Sequence, residues 1–120
     1  MDDVEFAARE LAISRSVEEG VDTEGHRCLM DVMACAGEID LVSEPEFREG
    51  LARLTTHDVV VDLSGVTFIG AAGINALIEV AEQRHHCGTV RLRDAPAILC
   101  RVLHGLDLPA NLIRNDPPSR

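Results

Sequence analysis

Residues 59–81, "VVVDLSGVTFIGAAGINALIEVA", constrain this chain more than any other stretch. They open on a β-branched run, Val59–Leu63, which favours a short buried strand. They close on Ile74, Leu77, Ile78 and Ala81, spaced as one face of an amphipathic helix. Between the two lies an all-small stretch, Gly70-Ala71-Ala72-Gly73. A strand running into a helix through a tight junction calls for a helix packed on a sheet.

The flanking sequence extends the pattern. "LAISRSVE" (11–18) alternates loosely and predicts an edge strand, and "EGVDTEGH" (19–26) carries the glycines of a turn. "RCLMDVMACA" (27–36) is apolar on both faces, which predicts a central strand covered on both sides. In "SEPE", Ser43 and Glu46 have capping-box spacing with Pro45 in the first turn, and Phe47, Leu51 and Leu54 share one face of the helix that follows. The helix carrying Leu77 is expected to end near Gly88. "TVRLR" (89–93) predicts a half-buried strand with Val90 and Leu92 inward, Arg91 and Arg93 outward. A last helix is predicted from an Asp94 cap to Gly105, with Leu106 supplying the contact of a Schellman stop. Residues 1–10 read as a polar lead-in, 11–113 as the domain and 114–120 as a polar tail. The order β-β-α-β-α-β-α predicts one α/β domain: a mixed four- to five-stranded sheet with three to four helices packed on it.

Composition narrows the function classes. The chain has 120 residues, enough for one core. Its 21 acidic residues face 11 basic ones, all arginine, for a net charge of −10. That balance argues against nucleic acid, whose recognition rests on a basic surface, and against anionic membranes. With no Trp or Tyr there is no stacking platform for bases. No apolar run is long enough for a membrane span, and the acidic start "MDDVEFAARE" is unlike a signal peptide, so the expectation is a cytoplasmic chain. In a reducing compartment Cys28, Cys35, Cys87 and Cys100 read as small core hydrophobes, and none forms a CxxC pair.

Three motifs in order then become recognisable. "GEID" (37–40), "VVVDLSGVTFIGAAGINAL" (59–77) and "GLDL" (105–108) together resemble the signatures of the STAS-domain family, the fold of bacterial anti-sigma factor antagonists. The resemblance spans residues 11 to 113. It implies a protein without enzymatic chemistry, whose partner is an anti-sigma factor: an ATPase of the histidine-kinase superfamily that phosphorylates a Ser or Thr on the antagonist. Phosphorylation breaks the complex. The family's usual strand–loop–helix pattern is D-L-S-x-V-x-F-[IM]-D-S-[SA]-G. Here Gly70 stands for the usual Asp, Ala71 for the phosphoacceptor and Ala72 for the next small residue, while Gly73 matches. Asp40 matches an acidic position near that loop. The resemblance thus implies a partner-binding face of Asp40, Gly70, Ala71, Ala72, Gly73 and Asn75 that has lost its switch at Ala71. Plain turn geometry also accounts for Gly70–Gly73, and both readings can hold together.

Other residues are weaker candidates. Ser64 and Thr67 are hydroxyls that could substitute as phosphoacceptors, although Ser64 reads equally as closing the turn after its strand. Cys100 and His104 have i, i+4 spacing, but two ligands do not make a zinc site, so neither metal nor cofactor is expected. Cys87 and Cys100 could join in a redox switch. Two further roles stay open: an accessory STAS subunit of an ABC-type lipid transport ATPase, and a module sensing a nucleotide or lipid.

Overall fold

The computed structural model describes residues 11–22, 24–84 and 88–116. These form β1 (Ala12–Val21), β2 (Arg27–Ile39), α1 (Glu44–Ala52), β3 (Val59–Ile69), α2 (Ala71–Gln83), β4 (Val90–Arg93), α3 (Ala97–His104) and β5 (Leu112–Asp116). The strands lie in the order β1-β2-β3-β4-β5. β1 runs antiparallel to β2, and every later neighbour is parallel. From β2 onward the chain therefore steps across the sheet in one direction. Right-handed crossovers then place all three helices on the same face.

That face is the core. Val59, Val61 and Leu63 of β3, Val90 and Leu92 of β4, and Met33 and Cys35 of β2 alternate toward it. Phe47 and Leu51 of α1, Ile74, Leu77 and Ala81 of α2, and Leu99 and Leu103 of α3 meet them there. The helical spacing expected for α1 and α2 holds, and Leu54 joins this core from just beyond α1.

The opposite face is covered differently from a helix-on-helix sandwich. Met30, Val32 and Val60 are buried there in a small second cluster, with Cys28 at its margin. Their cover is the β1–β2 hairpin arm, which reaches beyond the start of β3 and curls back. Two strands separate β1 from β4, yet Arg91 donates to the Val21 carbonyl (3.0 Å) and Arg93 grips both carboxylate oxygens of Glu18 (3.0 and 3.1 Å). Arg93 is buried, where alternation alone predicts an outward side chain.

Several boundaries differ from the sequence reading, each for a local reason. The hairpin turn is tighter than residues 19–26: the Asp22 carboxylate accepts the amides of Glu24 and His26, and Gly25 takes φ +89°. β3 continues past Leu63 to Ile69, with register shifts against β2 that absorb the extra residues, so Ser64 lies inside a strand and closes no turn. α3 begins at Ala97 after a left-handed Asp94 (φ 55°), which is not its cap. Gly105 sits at φ −90°, so α3 stops without the left-handed residue of a Schellman motif. Residues 112–116 form β5, so the stretch read as a polar tail starts as an edge strand.

Candidate functional site

Parallel pairing of β2 with β3 sets Ile39 opposite Ile69. The two segments leaving these strands therefore emerge side by side, and the Gly70 amide donates to the Ile39 carbonyl across the gap (2.9 Å). This juxtaposition joins "GEID" to "GAAG", two motifs far apart in sequence.

On one side, Asp40 opens the turn into α1. Its Oδ1 accepts the amides of Val42 and Ser43 (3.0 Å each), and its carbonyl accepts the Glu44 amide (2.8 Å). Ser43 reciprocates: its Oγ accepts the Asp40 amide (3.0 Å) and donates to the Glu38 carbonyl (2.7 Å). This is a capping box placed earlier than the Ser43–Glu46 pair expected, and the Ser43 side chain makes no cap to the helix after it. The Ser43 amide above all, with the Ser43 hydroxyl and the Val42 amide, holds the Asp40 carboxyl below its usual range despite an opposing desolvation cost.

On the other side, Gly70 caps α2 from an extended conformation (φ −93°, ψ −176°), its carbonyl accepting the Ile74 amide. Ala71 is exposed and Ala72 half-buried, at the end of a 13-residue helix where first-turn amides lack intrahelical acceptors. Gly73 is buried beneath. A Cβ there would lie 2.6 Å from Ile39 Cγ2 and 2.8 Å from Ile69 Cγ1. Glycine is what permits this close seating of α2 on the strand ends. Asn75 is exposed further along the helix.

Asp40, Gly70, Ala71 and Ala72 line one open depression of about 480 Å³ together with Leu41, Val42 and Phe68. The last three are residues the sequence reading missed. Leu41 is 82% exposed, Val42 90% and Phe68 52%. That is an unusual concentration of large apolar side chains in water. The available signal was two aliphatics inside "DLVS", a stretch carrying cap chemistry where core residues are not needed.

The remaining candidates stay apart. Ser64 and Thr67 are exposed on β3, and Ser64 lies well back along this extended strand from Gly70. Thr67 donates to the Gly37 carbonyl (3.3 Å), and the Ser64 amide donates to Asp62 (2.9 Å). Cys100 and His104 share a shallow surface on α3 with Ala95, Ala97 and Arg101. Among the described residues no group of three His, Cys, Asp or Glu side chains could hold a metal. Cys87, with His85 and His86, lies outside the described residues. Burial, reinforced by the Asp62 charge, pushes the Cys35 thiol up to about 12, leaving it inert as a nucleophile at neutral pH. A wider depression of about 620 Å³, lined by Glu82 and residues 107–111, sits at the far end of α2 and contains none of the expected site residues. No helix among the described residues is long and apolar enough to cross a membrane.

A family model described as "Mlab, STAS domain" matches residues 20–114. The chain belongs to the STAS-domain family. Solved structures agree on the fold. An anti-sigma factor antagonist from Mycobacterium paratuberculosis is 25% identical, covers 88% of this chain and 87% of its own, and superposes with a TM-score of 0.59. The unphosphorylated anti-sigma factor antagonist SpoIIAA is 12% identical over 86% of this chain and 90% of its own, with a TM-score of 0.58. Part of a murine anion transporter, Slc26a9, also matches: 15% identity over 95% of this STAS domain but 22% of the transporter, TM-score 0.62. No curated protein matches the sequence. In this STAS domain the residues after "DLSGVTFI" keep a strand-to-helix junction with Ala71 at its exposed corner and no side-chain hydroxyl in residues 70–73.

Proposed function

We propose that this STAS domain is a non-enzymatic regulator that binds a histidine-kinase-fold anti-sigma factor through the face around Gly70–Gly73 and is not switched by phosphorylation there. The observation that carries this reading is the exposed Ala71 corner flanked by the solvent-facing Leu41, Val42 and Phe68. A methyl group cannot accept a phosphoryl group, whereas a solvent-facing apolar surface is suited to a protein interface. The likeness to an anti-sigma factor antagonist at 25% identity supports the choice of partner.

A second reading has its own support. The description of the matching family is what favours an accessory STAS subunit on an ABC-type lipid transport ATPase. Both readings use the same kind of event, docking on a nucleotide-hydrolysing protein. Affinity purification from native cells at endogenous level, followed by partner identification, tests them. A histidine-kinase-fold ATPase lost on Ala71→Glu supports the first reading. An ABC ATPase in its place overturns the first in favour of the second. No protein partner overturns both and leaves a ligand-sensing module.

A further inference from the structure

The family resemblance treats Asp40 as part of the contact surface, but its hydrogen bonds give it another task. Its Oδ1 is engaged by the amides of Val42 and Ser43, and Ser43 Oγ closes the box by accepting the Asp40 amide and donating to the Glu38 carbonyl. Between the two capping residues stand Leu41 and Val42, the two most exposed large apolar side chains among the described residues. An unconstrained loop would turn such side chains toward the nearest apolar surface, because leaving them in water forfeits their transfer free energy. The cap prevents that collapse by setting the backbone of the turn.

We infer that Asp40 and Ser43 are positioning residues, which hold Leu41 and Val42 outward beside Phe68 as the apolar contact ridge for the partner, and that Asp40 makes no essential ion pair with it. This rests on the docking face proposed above. The surroundings also specify the partner's surface. Asp40 lines the same depression, Glu38, Glu44 and Glu46 flank the ridge in sequence, and Arg48 is committed to Glu44 and Glu79. The complementary surface is an apolar cleft edged by Arg or Lys.

The test pairs a partner-free measurement with a partner-dependent one. Hydrogen exchange on the purified protein compares Asp40→Ala, Asp40→Asn and the parent. Asn presents the same acceptor oxygen without the charge. Asp40→Ala is expected to speed exchange of the Val42 and Ser43 amides roughly five- to tenfold, and Asp40→Asn to restore most of the protection. In cells, a photo-crosslinking residue at position 42 is expected to form an adduct with an ATPase, mapped to a cleft edged by basic residues. Asp40→Ala should cut that adduct at least tenfold, and Asp40→Asn should recover it.

Unchanged exchange in Asp40→Ala overturns the positioning role whatever the partner does. An Asp40→Asn variant as defective in crosslinking as Asp40→Ala shows a charge contact and also overturns it. An adduct from a probe at position 71 but none from position 42 leaves the docking face standing and removes the ridge from it. No adduct from either position removes the docking face itself, and the inference with it.

Discussion

At residue scale the proposed function turns on a methyl group at Ala71, at an exposed helix corner with no side-chain hydroxyl in residues 70–73. Ala71 occupies the first position of α2 behind a glycine cap, so a small polar residue there meets no steric obstacle. Ala71→Ser should leave stability within about 0.5 kcal/mol of the parent. If the partner is the kinase-fold ATPase proposed above, radiolabel transfer from it should appear on that variant and be missing from the parent. Transfer to the parent at Ser64 or Thr67, read by intact mass and peptide mapping, would show that the switch has moved and survived. Ala71→Glu asks the complementary question. The helix dipole stabilises a first-turn carboxylate by about 0.3–1 kcal/mol, so the melting temperature should not fall. Burying that charge unpaired against a partner should weaken binding at least a hundredfold, roughly 3 kcal/mol, in a calorimetric titration. Equal affinity would place residues 70–73 outside the interface.

At the scale of elements, the site exists because α2 sits hard against the ends of β2 and β3. Gly73 sets that distance. Gly73→Ala gains helix propensity of about 1 kcal/mol, but its methyl would overlap Ile39 and Ile69. Overpacking of this kind costs about 1–3 kcal/mol, so a net destabilisation of up to about 2 kcal/mol is expected by urea denaturation. Because α2 must shift outward to relieve the overlap, partner affinity should fall together with stability. A stabilised Gly73→Ala would show that the strand ends yield more easily than their burial suggests.

At the scale of the whole molecule, two features stand out: the hairpin arm folded over the second sheet face, and an acidic surface. Arg93 spans from β4 to Glu18 on β1 and is buried, while the Glu18 side chain stays 36% exposed. Solvent screening at Glu18 trims the value of the pair, so Arg93→Ala should cost about 1–2 kcal/mol, less than breaking a fully buried pair would. Loss of the arm's docking should show as faster hydrogen exchange in residues 17–21 and 27–30. The acid response follows from three aspartates. Burial pushes the Asp31 carboxyl up, but the Thr55 and Thr56 amides, helped by Arg15, outweigh it and hold it below its usual range. The His26 amide lowers Asp22, aided by the Glu24 amide, and the Ser43 amide lowers Asp40. A depressed carboxyl contributes stability that is complete above the unfolded value, near 3.8, and is lost as pH falls through the folded value. Melting temperature should therefore be insensitive to these groups above about pH 5 and fall below about pH 4. Asp31→Asn should flatten that fall. An acid limb unchanged by this variant would assign it to the other carboxylates.

The sequence by itself determined the elements whose periodicity repeats: the buried run Val59–Leu63, the apolar faces of α1 and α2, and the inward Val90 and Leu92. Each is a local pattern, and burial on one side of a helix or strand is what produces it. The motif spacing likewise announced the family. Only the tertiary structure decided what depends on residues distant in the chain. β5 escaped notice because a short edge strand with polar residues carries little alternation. Arg93 was assigned outward because period two cannot foresee an arm folding over that face from a distant part of the chain. Asp40 matched a family position, yet its cap to Val42 and Ser43 depends on backbone angles that composition does not record. The apolar ridge was hidden most completely. Leu41 and Val42 look like core residues to any rule that rewards burial, and the geometry of a capped turn beside a parallel strand end is what turns them out to water.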